Sequence, residues 1–229
     1  MKLSQRKSKW HSLLGEERNG DSVDRRERRG FQTRERLFHA AMNLFRDHGF
    51  HETTVEDITK SADVGKGTFF NYFPSKEHIL SVLAEVQTAK YDKAAILASE
   101  GTTQDALRWL YRALPAEAGS STKMVRSLFT VFLNSESVRG FLVPTLTNAR
   151  LKLVAIFREA ELRGEIPQKS DWYGLAFRFQ QCLFGSMLLW TLQVPTPPLE
   201  KWLDHGFEGF WSAATAAPET ACNRKGSKE

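Results

Sequence analysis

The chain has 229 residues, enough for one large or two small domains with a buried core, and its 41% hydrophobic and 26% charged residues are those of an ordinary globular protein. A net charge of +5 admits a nucleic-acid partner without requiring one, and two cysteines, Cys182 and Cys222, give neither a disulfide framework nor metal-ligand spacing. Six scattered histidines, of which His48 and His51 are the nearest pair, complete no metal site, so no metal and no cofactor is expected.

Residues 1–30 are polar, without apolar periodicity, and end in the run Arg25, Arg26, Glu27, Arg28, Arg29. They are expected to form a flexible basic extension, read equally as an arm that lays arginines along DNA or as a solvated leader. The start, MKLSQRKSKW, lacks the apolar core of a secretion signal, so a cytoplasmic location is expected.

A first helix is predicted over 32–48, with Leu37, Ala41, Leu44, Phe45 and His48 on one stripe and Gly49 as its C-terminal cap residue. The stretch 54–73, TVEDITKSADVGKGTFFNYF, then reads as two short helices joined by a tight turn. Thr54 and Asp57 have capping-box spacing, and Val55, Ile58 and Ala62 share one face, leaving Glu56, Thr59 and Lys60 to solvent or phosphate. Asp63 tolerates the left-handed turn, Val64 pins it, and Gly65 opens the second helix. Phe69 and Phe73 point inward by their spacing of four.

The opposite face carries Lys66, Gly67, Thr68, Phe70, Asn71 and Tyr72, with no carboxylate. Such a set suits the major groove of double-stranded DNA, because Lys, Thr and Tyr bond phosphates, Asn pairs with an adenine edge, and Phe or a Thr methyl meets thymine methyl groups. Thr54, Lys66, Tyr72 and Lys76 are the phosphate candidates; Thr68, Phe70 and Asn71 are the base-edge candidates. Gly67 is the bare backbone site between them.

The motif closely resembles the helix-turn-helix of TetR/AcrR-type bacterial transcriptional regulators, T-V-x-D-I-A-x-x-A-G-V-S-K-G-T-x-Y-x-Y-F-x-S-K-E. The match falls at Thr54, Val55, Asp57, Ile58, Ala62, Val64, Lys66, Gly67, Thr68, Tyr72, Phe73, Ser75, Lys76 and Glu77, without an insertion. Asp63, Gly65 and Phe70 depart from it, where the family usually has Gly, Ser and often Tyr.

Beyond the motif, no strand-like alternation occurs. A helix from Ser75 to about Ala98 would link the DNA-binding unit to four or five more: 102–117, 121–134, a long segment 135–163 that Pro144 kinks or interrupts, 171–193 and 199–214. The apolar stretch 172–194 carries Arg178, Gln180 and Gln181 at its middle, so it reads as a buried helix, not a membrane span.

The fold expected is all-α: a flexible extension (1–30), a three-helix helix-turn-helix DNA-binding domain (31–76), a helical effector-binding and dimerisation domain (77–217) and a polar tail (218–229). The number of aromatic residues in the last two helices suits an interface core, with Phe179, Leu183, Met187, Trp202, Phe207, Phe210 and Trp211 as the candidates. Resemblance implies a homodimer built on those helices, and two recognition helices related by a two-fold axis read a palindromic operator. Resemblance also implies a pocket whose small-molecule effector releases the DNA and so relieves repression. Trp109, Phe129, Phe132, Phe157, Phe177 and Trp190 are its candidate lining, which suits a small apolar or aromatic effector. The alternative is a DNA-binding adaptor or spatial regulator whose second domain holds a protein partner. No nucleophile-base-acid set and no Gly-rich phosphate loop is present, so an enzyme is not expected.

Overall fold

The computed structural model describes residues 25–119 and 121–216, and among them every regular element is helical. The leader up to residue 24, as either arm or solvated segment, and the tail 218–229 lie outside the described residues. The first helix, α1, spans Arg25–Asp47. It therefore starts seven residues before the expected 32, because nothing in the run of arginines before Gly30 breaks a helix and Gly30 is tolerated inside it. Leu37, Phe38, Ala41 and Phe45 form its buried stripe, whereas His48, expected on it, is exposed. Gly49 ends the helix at φ 96°, and a β-carbon there would lie 3.4 Å from Lys123 and Ser127, so both backbone and space favour glycine.

Next come α2 (Val55–Ser61) and α3 (Lys66–Tyr72), packed under α1 through Phe50, Ile58, Ala62, Phe69 and Phe73. Thr59, expected at the surface, is buried, and its hydroxyl donates to the Glu56 carbonyl at 3.0 Å. A 3-10 turn, Lys76–His78, leads into α4 (Ile79–Glu100). The remaining helices are α5 (Thr103–Ala113), α6 (Thr122–Asn134), α7 (Glu136–Leu162), α8 (Trp172–Trp190) and α9 (Leu199–Thr215).

In this bundle α4 lies along α5 and α7, α8 along α7 and α9, and α9 returns onto α5. Ion pairs Arg112–Asp204, at 2.5 Å, and Arg108–Glu208 clamp α5 to α9 over a cluster of Tyr111, Phe179, Phe207 and Phe210 rings. Gly206 allows the α8–α9 approach: a β-carbon there would sit 2.5 Å from Ser186 Oγ. Contrary to expectation, α7 runs unbroken through Pro144. The carbonyl that the proline leaves without a donor belongs to exposed Gly140, where water can serve it. By length and composition α7 alone among the described helices could cross a membrane. Its Ala149, Leu153, Phe157 and Ala160 are instead buried in the bundle, and Lys152 pairs with Asp92 of α4.

Candidate nucleic-acid interface and interior cavity

Thr54 starts α2 as a complete capping box. Its hydroxyl accepts from the Asp57 N–H at 3.1 Å and donates to Asp57 Oδ2 at 2.7 Å, while its own N–H donates to the same carboxylate at 2.9 Å. These bonds from Thr54 hold the Asp57 carboxyl below its ordinary range. They also use the hydroxyl hydrogen that a phosphate contact from Thr54 would need, so the side chain expected to touch DNA is committed to its helix.

Between the helices, Asp63 has φ 51°, the left-handed value the turn demands, and Val64 N–H reaches Thr59 O at 3.0 Å. Gly65 then starts α3 without a side-chain cap. Phe69 and Phe73 are fully buried, which turns Lys66, Gly67, Phe70 and Asn71 outward. Phe70 is 48% exposed, its ring in a T-shaped contact with that of Phe69 at 5.3 Å between centroids. Thr68 and Tyr72 are half-buried at the edges of this row, and the Tyr72 hydroxyl lies 3.4 Å from where a β-carbon on Gly30 would stand.

Two of the expected phosphate ligands are otherwise engaged. Lys66 pairs with Glu56 at 3.0 Å across the α2–α3 corner, with both side chains exposed. Lys76 is turned inward: Nζ donates to the carbonyls of Phe50 and Thr53 at 2.6 and 2.8 Å and sits 4.4 Å from the Phe50 ring centroid. Its burial pushes the ammonium below its usual pKa. Lys76 therefore closes the α1–α2 loop, with two backbone carbonyls taking two of its three donors. Ser75 likewise makes no cap bond; its hydroxyl goes to Glu77 at 2.6 Å.

The unit is braced onto α4 by a bidentate Arg34–Glu85 pair at 2.6 and 2.8 Å. A second brace joins the end of α1 to the loop after α5 and to α6, through Arg46 to Glu117 O at 3.3 Å and Lys123 to Asp47 O at 3.1 Å.

Beneath α4 lies a cavity of about 150 Å³. One wall is α4 itself, with Leu80, Leu83 and Gln87; Phe129 and Phe132 of α6 and Leu146 of α7 form much of the rest. Only those two phenylalanines of the six expected lining residues reach it. Phe157 and Trp190 are core residues, Trp109 lies under Lys93 at 5.1 Å, and Phe177 is on the surface. The charged and amide groups at this cavity, Gln87 and Glu117, carry no periodic signal and went unanticipated.

Of the residues expected at an interface core, six are buried within the single chain and Trp202 is half-buried. Phe179 and Phe207 are 0% exposed within a single chain, and Phe210 and Trp211 pack beside them. Leu183 and Met187 line the cavity, and the Trp202 indole donates to Ser186 O at 2.8 Å. The apolar stripe that α8 leaves outside is another one: Tyr173, Phe177 and Leu188, with Arg150 of α7 lying 4.7 Å from the Phe177 ring centroid.

Residues 37–83 match the family described as bacterial regulatory proteins, tetR family. The HTH-type transcriptional regulator YxaF of Bacillus subtilis is 28% identical over 116 residues, 51% of this chain and 55% of that protein. The probable HTH-type transcriptional regulator YttP of the same organism is 27% identical over 138 residues, 58% of this chain and 67% of that protein. The alignment thus spans about half the length of YxaF. Among solved structures, Thermus thermophilus FadR, a TetR-family transcriptional repressor in complex with lauroyl-CoA, is 27% identical. Its TM-score is 0.59, over 83% of this chain and 99% of that one.

Proposed function

We propose that this chain, which belongs to the tetR family of bacterial regulatory proteins, is a cytoplasmic repressor that binds a palindromic operator as a homodimer and is released by a small molecule. One observation carries the reading: α4 starts at the DNA-binding unit and walls the cavity along its N-terminal half, from Leu80 to Tyr91. Ile79 and Leu80 are buried where α4 leaves the 3-10 turn, Arg34 holds Glu85, and Gln87 is two residues farther along. A molecule in the cavity therefore touches the helix that sets the position of α3. If it prefers a tilt of α4 that spoils the spacing of two recognition helices, about 34–36 Å in a two-fold dimer, DNA affinity falls.

On α3, Lys66, Thr68, Phe70, Asn71 and Tyr72 are the proposed contacts, with Gly67 letting the DNA backbone approach. The outward stripe of α8 supplies the dimer surface in this reading. Selection of bound sequences from a random DNA pool tests it, with Thr68→Ala plus Asn71→Ala as the control. A palindrome enriched by the natural protein and lost in the control is expected. Enrichment of nothing, or of the same sequence by both proteins, would overturn it and favour a second domain that serves a protein partner.

A further inference from the structure

The basic run that closes the polar N-terminal stretch stands in the structure as helix. Arg25, Arg26, Arg28 and Arg29, with the single carboxylate of Glu27 among them, form the first turns of α1, which continues unbroken into the core. They carry that helix about 7 Å beyond Gly30, at about 1.5 Å per residue. Arginines in the first turns of a helix oppose its dipole, so helix stability does not account for them.

Register sets where the extension leads. Gly30 and Arg34, four residues apart on α1, both meet the end of α3: a β-carbon on Gly30 would lie 3.4 Å from the Tyr72 hydroxyl, and the Arg34 guanidinium is 5.9 Å from the Phe73 ring centroid. Arg26 continues that line one turn earlier, and Arg29, beside Gly30, is exposed. The run therefore leaves the fold past the last residue of α3, whose outward row holds no carboxylate. Arg34 itself is engaged by Glu85, so the charge offered beside Tyr72 is that of the run.

Resting on the DNA-binding reading above, we propose that Arg25–Arg29 is a second DNA-contact element, a basic helix that lies along the phosphates beside the groove read by α3 and adds affinity without reading bases. Its helical state decides the mode of contact. A helix about 10–12 Å across does not enter a minor groove about 6 Å wide, whereas phosphates are met from outside the grooves and carry no sequence information.

The test uses the full-length protein and the palindrome enriched from the random pool, with fluorescence anisotropy over a range of salt. In the variant carrying Arg25→Gln, Arg26→Gln, Arg28→Gln and Arg29→Gln, the slope of log affinity against log salt should fall by about 2 or more per dimer, which is one phosphate per protomer at about 0.9 each. Affinity at about 0.05 M salt should fall at least about tenfold. A random duplex should lose the same factor, leaving the ratio of specific to non-specific binding unchanged. Gly30→Pro keeps every charge but breaks the helix between the run and the rest of α1, and should weaken binding at least about threefold. If that variant does not fold, the arginine variant decides by itself.

An unchanged salt slope in the arginine variant, or full affinity in Gly30→Pro, overturns the proposal. So does a changed ratio of specific to non-specific binding, which would make the run an arm that reads the minor groove. A natural protein that binds neither the pool nor a random duplex overturns the proposal together with the DNA-binding reading on which it rests.

Discussion

Arg46, in the last turn of α1, donates from Nη2 to the backbone carbonyl of Glu117 at 3.3 Å, and Glu117 is also a lining residue of the cavity. One residue thus touches both the DNA-binding unit and the cavity. Lys123, bonded to Asp47 O, holds the same end of α1 from α6. In the proposed mechanism this is a second route between the sites, parallel to α4.

Arg46→Met should keep the fold, since the contact is at the edge of the core, and should weaken the communication. Coupling between sites is typically about 5- to 150-fold in affinity. The expected outcome is a ligand-induced loss of operator affinity at least about threefold smaller in Arg46→Met, with operator affinity in the absence of ligand little changed. Fluorescence anisotropy with a labelled operator, with and without ligand, measures both. An unchanged response would leave α4 as the sole route.

Lys76 separates a structural lysine from a DNA-binding one. Lys76→Met strands the carbonyls of Phe50 and Thr53, which its ammonium now bridges, and should cost about 1–3 kcal/mol in denaturant unfolding. The folded variant should keep the slope of log affinity against log salt. Lys66→Met should do the opposite, lowering that slope by about one with little loss of stability. A reversed pattern would return Lys76 to the phosphate contacts.

In the proposed DNA complex Glu56 acts as a brake. Its carboxylate is 75% exposed and holds Lys66 at 3.0 Å, on the side where phosphates would come. An exposed pair of this kind adds little stability. Glu56→Gln should therefore leave unfolding unchanged while raising DNA affinity a few-fold at low salt, an advantage that fades as ionic strength rises. Affinities measured at two salt concentrations check it.

Local signals made the DNA-binding unit legible: the Thr54–Asp57 spacing, the Phe69–Phe73 pair, Gly49 after a periodic helix. Each is settled within a few residues of chain. What local signals do not carry is set by contacts across the fold. Lys76 in a polar turn resembles a phosphate ligand until Phe50 and Thr53, more than twenty residues earlier, bring their carbonyls to it. Helix α8 is apolar on more than one face, and its pattern does not say which face turns inside. Gly206 lets α9 come close at Ser186, and on α8 Phe179 is buried while Phe177 is exposed. The cavity depends on Gln87 meeting Glu117 across thirty residues, and no periodicity encodes that.

Acid should act on the cap of α2. The Asp57 carboxyl is held below its usual range by the Thr54 hydroxyl and N–H. A carboxyl whose pKa is depressed on folding contributes stability that is present above its unfolded pKa and lost as pH falls through the folded one. Thr54→Ala removes the larger bond. The stability gap between the natural protein and Thr54→Ala should thus be widest near neutrality and shrink from about pH 5 downward, as followed by urea midpoints. A gap constant down to about pH 3 would detach the carboxylate from the cap's contribution.

The dimer surface can be tested by contrasting two phenylalanines on neighbouring helices. Phe207 is fully buried among Tyr111, Phe210 and Trp211, so a charge there removes the α5–α9 core. Phe177 is 42% exposed, in line with Tyr173 and Leu188, and its ring lies under the Arg150 guanidinium, which is itself bonded to Gln180 at 2.9 Å. A carboxylate at position 177 would find Arg150 beside it within one chain, so the monomer fold should tolerate it. Buried between two copies, the same carboxylate would be desolvated twice over, once on each side of the axis. Phe177→Asp should accordingly retain the helical circular-dichroism spectrum and sediment as a monomer at micromolar concentration. It should also lose about a hundredfold or more in affinity for a full palindrome, while binding to a half-site stays unchanged, because only the linkage of two recognition helices is lost. Phe207→Asp should instead lose the spectrum itself. A Phe177→Asp protein that still sediments as a dimer would move the interface off this stripe of α8, and with it the geometry by which a tilt of α4 separates the two α3 helices.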